Sequence, residues 1–263
     1  MDLGIRGRVA LVAASSKGLG RASAEALAAE GVALVLCARG ADALEATAQA
    51  IRDAHGVPVT TVVADVSEPA GVAAVLDAAL HGHGHVDILV TNAGGPPPGL
   101  FAQHDDAAWA QAIRTTLQSV IGLARGVLPG MTARGWGRIV NVTSIAAKQP
   151  VDGLILSNTV RAAVTGFART LANEVATHGI TVNNVMPGFT RTERVVTLAT
   201  RAAEDRGIPL ADAYAHWEHE IPMRRMGTPA EFGAMVAFLC STHASYTTGA
   251  SIPVDGGWIR GLV

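Results

Sequence analysis

The sequence predicts an α/β fold, a doubly wound parallel sheet with helices on both faces. Three observations carry that expectation. Strand-like runs alternate with helix-like runs along nearly all of the 263 residues. The strand candidates are unbroken apolar runs such as Val9-Ala10-Leu11-Val12-Ala13-Ala14, the pattern of strands buried on both faces. Half the chain is apolar (49%) while only 4% is aromatic, which suits close-packed layers of small side chains.

The first strand, turn and helix occupy Arg8 to Glu30. The apolar run breaks into Ser15-Ser16-Lys17-Gly18-Leu19-Gly20, then resumes as an Ala/Leu/Glu-rich segment with helical spacing. That order leaves backbone N–H groups and the positive end of a helix dipole facing outward, an arrangement that holds a pyrophosphate. Glycine lets the backbone approach the phosphates with no Cβ in the way. An ordinary βα turn with two glycines is the other reading of this stretch taken alone.

The remaining elements follow in alternation. Val32–Cys37 reads as a strand, Asp42–Ala54 as a helix and Val57–Val63 as a strand. Pro69–Leu80 reads as helical and Val86–Thr91 as extended. Asp106–Met131 predicts one long helix, Arg138–Val142 a strand and Arg161–Thr177 the core of a further helix. Ile180–Val185, Pro229–Cys240 and Ala250–Val254 predict strand, helix and a last short strand. Right-handed crossovers between parallel strands give a single domain over residues 1–263, with ligands beyond the carboxyl ends of the strands.

The strand ends converge on one ligand, a dinucleotide. Ala38-Arg39 follows the second strand, where an NAD site would place an acid for the ribose 2′-hydroxyl. Ala38 is neutral, and Arg39 and Lys17 present positive charge for a 2′-phosphate, so NADP(H) is preferred and NAD(H) is the lesser alternative. Asp65 and Val66 follow the third strand, where the carboxylate can take the adenine amino group or cap a helix. Asn92-Ala93-Gly94 follows the fourth, a small-residue turn that lets backbone pass close to a ribose.

Net charge is −2 and the isoelectric point is about 6.5, so no basic surface points to nucleic acid or an anionic membrane. No apolar run reaches the roughly 18–20 residues that span a bilayer. Asp2, Arg6 and Arg8 interrupt any N-terminal signal core. Cys37 and Cys240 read as two buried thiols, which fits a reducing, cytoplasmic setting. His81, His83 and His85 alternate with glycine. On an extended segment they would share one face, but they precede a strand, at the end away from the ligand, and read as a solvated loop with no metal.

Several pieces together resemble the short-chain dehydrogenase/reductase family over essentially the whole length. They are Ala13-Ala14-Ser15-Ser16-Lys17-Gly18-Leu19-Gly20, Asn92-Ala93-Gly94, Ser144, Pro187-Gly188 with Thr192, Thr248-Gly249, and Asp255-Gly256-Gly257. The resemblance implies a Rossmann-type sheet that binds a nicotinamide dinucleotide and a small-molecule substrate, in a homotetramer or homodimer. It places Pro187, Gly188, Thr190 and Thr192 at the nicotinamide end and makes residues 190–225 a lid over substrate. Ala13 and Ala14 stand where the family carries Thr and Gly, which removes a hydroxyl and adds a methyl beside the pyrophosphate.

The family's catalytic Tyr-Lys pair is missing. Counted from Ser144, the expected positions hold Ser157 and Arg161, and the family's Asn position, seven residues beyond Trp109, holds Thr116. The tyrosines are Tyr214 and Tyr246 and the lysines Lys17 and Lys148, so no register shift restores the pair. A serine is a far weaker acid than a phenol with a pKa of about 10, and arginine stays protonated to about 12.5 or above. Arg161 can still fork onto ribose hydroxyls and direct charge at a developing alkoxide.

Three functional classes follow. The first is an NADP(H)-dependent oxidoreductase on a small carbonyl or alcohol, with Ser144 and Ser157 on the substrate oxygen, Arg161 as the charge and Thr116 lining a water path. The second is a lyase, aldolase or isomerase that keeps the cleft without hydride transfer. The third is a nucleotide-binding protein without turnover. Tyr214, His216 and His219 read as an exposed helical face of the lid, and Asp152 and Glu193 lie within plausible reach of the cleft.

Overall fold

The computed structural model describes residues 1–262. Its strands are β1 (Val9–Ala13), β2 (Ala33–Ala38), β3 (Val59–Val63), β4 (Ile88–Thr91), β5 (Gly137–Val142), β6 (Ile180–Pro187) and β7 (Ser251–Val254). They form one sheet in the order β3-β2-β1-β4-β5-β6-β7, and every neighbouring pair is parallel. The order reverses between β1 and β4. That reversal opens a crevice at the carboxyl ends of the strands.

Helices α1 (Gly18–Ala29), α2 (Ala41–His55), α3 (Pro69–His83), α4 (Asp106–Ile113), α5 (Ser119–Arg134), α6 (Ile155–Val175), α7 (Glu193–Arg206), α8 (Leu210–Glu220) and α9 (Pro229–Cys240) complete the chain. Side chains alternate across a strand. Ala10 and Val12 therefore join Leu27, Leu44, Ile51 and Phe232 in one core. Leu11 and Ala13 join Val75, Leu123, Met131 and Leu171 in the other. Two buried faces are the reason the strands are continuous apolar runs.

The structure departs from the sequence expectations in places that matter. Asp106–Met131 is not one regular helix: α4 and α5 meet through a π-turn at Arg114–Gln118. Thr116 is the middle residue of that turn and is buried. His81 and His83 lie in the last turn of α3 rather than on an extended loop. Their rings point to separate partners, His81 to Asp77 and His83 to Thr60, while His85 meets Asp87. Among the described residues no group of three or more metal-ligating side chains exists.

Both cysteines are free and buried, and burial pushes their thiols up to about 11 for Cys37 and about 12 for Cys240. No helix among the described residues is long and apolar enough to cross a membrane.

Candidate active site

The first βα turn has the geometry of a phosphate cradle. Ala14 leaves β1 with φ of +48° and Gly18 opens α1 with φ of +59°. Lys17 is the N-cap of α1, yet no side chain caps the helix, so its first N–H groups remain available. Gly20 is demanded by packing: a Cβ there would collide with the Ala14 carbonyl and sit 2.9 Å from Asn92 Nδ2. Leu19, beside it, is half-buried and packs against the core.

One expectation for this turn is corrected. Ser15 is fully buried, and both its N–H and its hydroxyl donate to the Cys37 carbonyl, at 3.1 and 3.3 Å. Its side chain therefore faces the fold and not the crevice, held on the β2 carbonyl just past the left-handed Ala14. Lys17 lies at the surface of the turn, its Nζ 2.7 Å from Glu193 Oε2, both side chains being exposed. Ser16 stays at the surface of the turn, its carbonyl accepting from Thr47 Oγ1 at 2.8 Å.

The other strand ends line the same crevice. Arg39 follows β2 with its side chain 79% exposed, 4.0 Å from Asp65 Oδ2. Asp65 Oδ1 accepts from the Ser67 N–H at 2.9 Å, which shapes the turn before α3, while Glu68 is the N-cap residue. Val66 is half-buried beside it. Asn92 Nδ2 donates to the Ala14 carbonyl at 3.3 Å, tying the end of β4 to the first turn. Ala93 and Gly94 follow, and a Cβ on Gly94 would point into open space.

Pro187 ends β6. Gly188 fits under the C-terminal loop, where a Cβ would lie 2.7 Å from that of Asp255. Thr190 is buried and bridges to Gly227. Thr192 is the N-cap residue of α7, but its hydroxyl does not bond the helix. Its Cγ2 is 3.7 Å from where a Gly18 Cβ would be, so the α7 and α1 N-termini face each other.

Beyond β5 lie the residues at the family's catalytic positions. Ser144 caps a short 3-10 turn, Ile145–Ala147, by accepting from the Ala146 N–H at 3.1 Å. Ser157 and Arg161 are one turn apart on α6 and both are buried. Arg161 Nη1 donates to the carbonyls of Val142 and Thr143 at 2.9 and 2.7 Å. Burial, with a smaller push from the charge of Arg194, pulls this guanidinium down to about 10, so it stays protonated at neutral pH. Thr116 lies on the π-turn that packs against α6, and its buried hydroxyl has no hydrogen-bond partner.

Sequence reasoning missed Arg194. From the first turn of α7 it reaches across the crevice and donates to the carbonyls of Gly95 and Pro96 at 3.2 and 3.3 Å. Its position two residues after Thr192 was the available signal. Tyr214, His216 and His219 are engaged within segment 190–225, with Trp217, Glu220 and Arg224 respectively. Asp152 is exposed. A groove of about 330 Å³ borders Gly18, Arg21, Arg191 and Thr192; a second cavity, about 380 Å³, lies between α3 and α5 and takes in Val66 and Ser67 after β3.

A family model described as enoyl-(acyl carrier protein) reductase matches residues 13–259. The chain belongs to the short-chain dehydrogenase/reductase family. Its match to 3-oxoacyl-(acyl-carrier-protein) reductase FabG of Escherichia coli (strain K12) is 36% identical over 255 residues, covering 97% of this chain and 98% of the relative. L-sorbose reductase from Gluconobacter frateurii, solved with NADPH and L-sorbose, superposes with a TM-score of 0.96 at 36% identity, and all of both chains is covered. An actinorhodin polyketide ketoreductase solved with NADPH gives 0.92 at 33% identity, covering 97% and 98%. The short-chain dehydrogenase/reductase match takes in the sheet and segment 190–225 alike.

Proposed function

We propose that this protein is an NADPH-dependent reductase of carbonyl compounds that works without a phenol at its centre. The observation that carries this reading is the seat of Arg161, whose guanidinium is pinned by the carbonyls of Val142, at the end of β5, and Thr143, next to Ser144. The chain's residues fit the dinucleotide: α1 is uncapped, Gly20 permits close packing of the turn, the Thr192 hydroxyl is unspent and Arg39 is exposed. Relatives solved with NADPH support the same cofactor.

Bound at this crevice, NADPH supplies a hydride. Asn92 holds the turn that receives the phosphates, Arg39 meets the 2′-phosphate and Thr192 takes the carboxamide. Asp65 and Val66 bound the adenine. Ser144 and Ser157 donate hydrogen bonds to the substrate carbonyl oxygen, and Arg161 opposes the negative charge that grows there. With no side chain to act as general acid, water delivers the proton along a path lined by Thr116. Segment 190–225 covers the substrate as a lid, tied down by the Lys17–Glu193 pair and by Arg194 on Gly95 and Pro96.

The test is reduction of a panel of ketones and aldehydes, followed by loss of NADPH absorbance and by detection of the alcohol. Slow turnover is expected, since general acid catalysis is worth about 10²–10⁴-fold. Replacing Thr116 by Asn, Ser157 by Tyr and Arg161 by Lys together should raise the rate on simple ketones. NADPH binding with no product from any carbonyl, in the wild type and the triple variant alike, overturns the reading in favour of a non-redox enzyme.

A further inference from the structure

The segment that follows β7 joins two parts of the site that are far apart in sequence. Asp255 folds it, the carboxylate accepting from the N–H groups of Gly257 and Ile259, both at 2.9 Å. On the lid side, Trp258 Nε1 donates to Glu220 Oε2 at 3.2 Å and Arg260 Nη2 to the Glu220 carbonyl at 3.3 Å. The Met223 N–H donates to the Gly256 carbonyl at 3.2 Å. A Cβ on Gly256 would lie 2.7 Å from Ile221 Cγ2, so backbone packs directly on the lid here. On the other side, the Arg260 N–H donates to Gln149 Oε1 at 3.0 Å, across 111 residues of sequence.

Gln149 belongs to the turn that Ser144 opens. Ser144 caps Ile145–Ala147 through the Ala146 N–H, and the Gln149 N–H closes on the Ile145 carbonyl at 2.9 Å. The Gln149 side chain therefore ties that turn, with the hydroxyl at its head, to Arg260. Trp258 is held by packing as well as by Glu220. Its ring meets Phe189 edge-on at 6.2 Å, and Phe189, two residues past Pro187, stacks on Trp217 of α8 at 5.1 Å. In a chain only 4% aromatic, that cluster fastens the lid, the end of β6 and the segment after β7 into one packed unit.

We infer that Gln149 and Trp258 are positioning residues. The segment after β7 straps the lid to the turn carrying Ser144, and so fixes the spacing between the wall over the substrate and the hydroxyl that receives its carbonyl oxygen. Each residue acts through what it holds, and a donor displaced by about 1 Å can cost up to about 10²-fold in rate. The strap also limits width, since a substrate bulkier than the spacing has to loosen it. This inference deepens the reductase reading and rests on it for the role of Ser144.

Hydrogen exchange in the ligand-free protein, followed by mass spectrometry over residues 145–150 and 217–224, tests the strap without turnover. Arg260→Pro deletes the backbone donor to Gln149, and Gln149→Ala deletes its acceptor. Each should speed exchange in 145–150 about fivefold, the size of one hydrogen bond. The double variant should be no faster than either alone, because both remove the same bond. Gln149→Glu keeps an acceptor oxygen and should exchange like the wild type; if Arg260→Pro does not fold, Gln149→Ala against Gln149→Glu carries the comparison. Trp258→Ala should speed both regions together. In kinetics, Gln149→Ala should lower kcat on acetone about fivefold to tenfold with NADPH affinity unchanged. Trp258→Ala should raise kcat/KM for acetophenone relative to acetone several-fold.

Unchanged exchange in 145–150 for Arg260→Pro and Gln149→Ala, with ketones still reduced, overturns the strap and leaves the reductase standing. Additive effects of the two variants also overturn it, because the two groups then act separately. Coupled exchange with kcat unchanged overturns the positioning role. Coupled exchange with no ketone reduced by any form leaves the strap in place and overturns the reductase.

Discussion

Ala14 occupies a backbone conformation that suits glycine, and replacing it should stabilise the protein. Its φ is +48°, in the left-handed region. That region costs an L-residue about 1–2 kcal/mol, because Cβ crowds the following carbonyl. Glycine removes the crowding but adds conformational freedom to the unfolded chain, worth about 0.4–1 kcal/mol in the opposite sense. The difference is a gain of about 0.5–1 kcal/mol for Ala14→Gly. Nothing else about the position changes: the Ala14 carbonyl still faces Gly20 and still accepts from Asn92. Urea denaturation of the ligand-free protein at fixed concentration should show a midpoint higher by about 0.2–0.3 M with an unchanged slope. Thermal unfolding should rise by roughly 1–2 °C. Gly18→Ala, which imposes the same strain at φ of +59°, should move the midpoint the other way. A midpoint that falls or stays put for Ala14→Gly would refute the claim that the turn stores strain. The same variant removes a methyl from the phosphate cradle, so NADPH should bind several-fold tighter.

Three further predictions concern the crevice. Gly20→Ala forces a Cβ against the Ala14 carbonyl and Asn92, and should abolish NADPH binding by calorimetry while lowering the unfolding midpoint; normal binding would show that the turn yields freely. Arg39→Ala should weaken NADPH about fivefold to tenfold, as an exposed charged contact of about 1 kcal/mol implies, and leave NADH unchanged within twofold; equal losses for both cofactors would remove Arg39 from the 2′-phosphate. The pH profile of kcat/KM should be flat from pH 6 to 9, since no catalytic side chain titrates there, and should fall as Arg161 deprotonates above about 10. The sign for stability is opposite. The folded value lies below the free value of 12.5, so between the two the unfolded chain binds more protons and stability rises with pH. An activity slope with an apparent pKa between 6 and 8 would instead point to a lid histidine as proton donor.

The sheet was legible because burial on both faces writes each strand as an unbroken apolar run. Helix α9 was legible to the residue, since Pro229 stands at its first turn and Thr228 and Glu231 form a reciprocal capping box. The crevice was legible because parallel order places every strand end on one side, whatever the exact bounds of the helices. The break between α4 and α5 was not. A π-turn adds one residue without altering the apolar pattern around it, so Thr116 looked like an ordinary helical position. Ser15 was misread because the left-handed turn at Ala14, invisible in an apolar run, brings its hydroxyl inward onto the Cys37 carbonyl.

Arg194 was illegible for a different reason, and it bears on how the site works. Its partners, the carbonyls of Gly95 and Pro96, lie about a hundred residues away and leave no motif in the sequence. A lone arginine on α6 reads as a substitute for a lysine that holds ribose. The Arg161 guanidinium is pinned at the end of β5 by the carbonyls of Val142 and Thr143, which fixes a positive charge at the crevice. Such a site does not need a phenol to favour charge on the substrate oxygen, because the positive potential is already built in. In the proposed reaction that preorganised charge stands in for the missing general acid's stabilisation of the oxyanion, and water still supplies the proton. Arg161→Met tests this: if its charge carries the rate, kcat on a ketone falls, and a loss confined to KM would mean that Arg161 only holds substrate or cofactor.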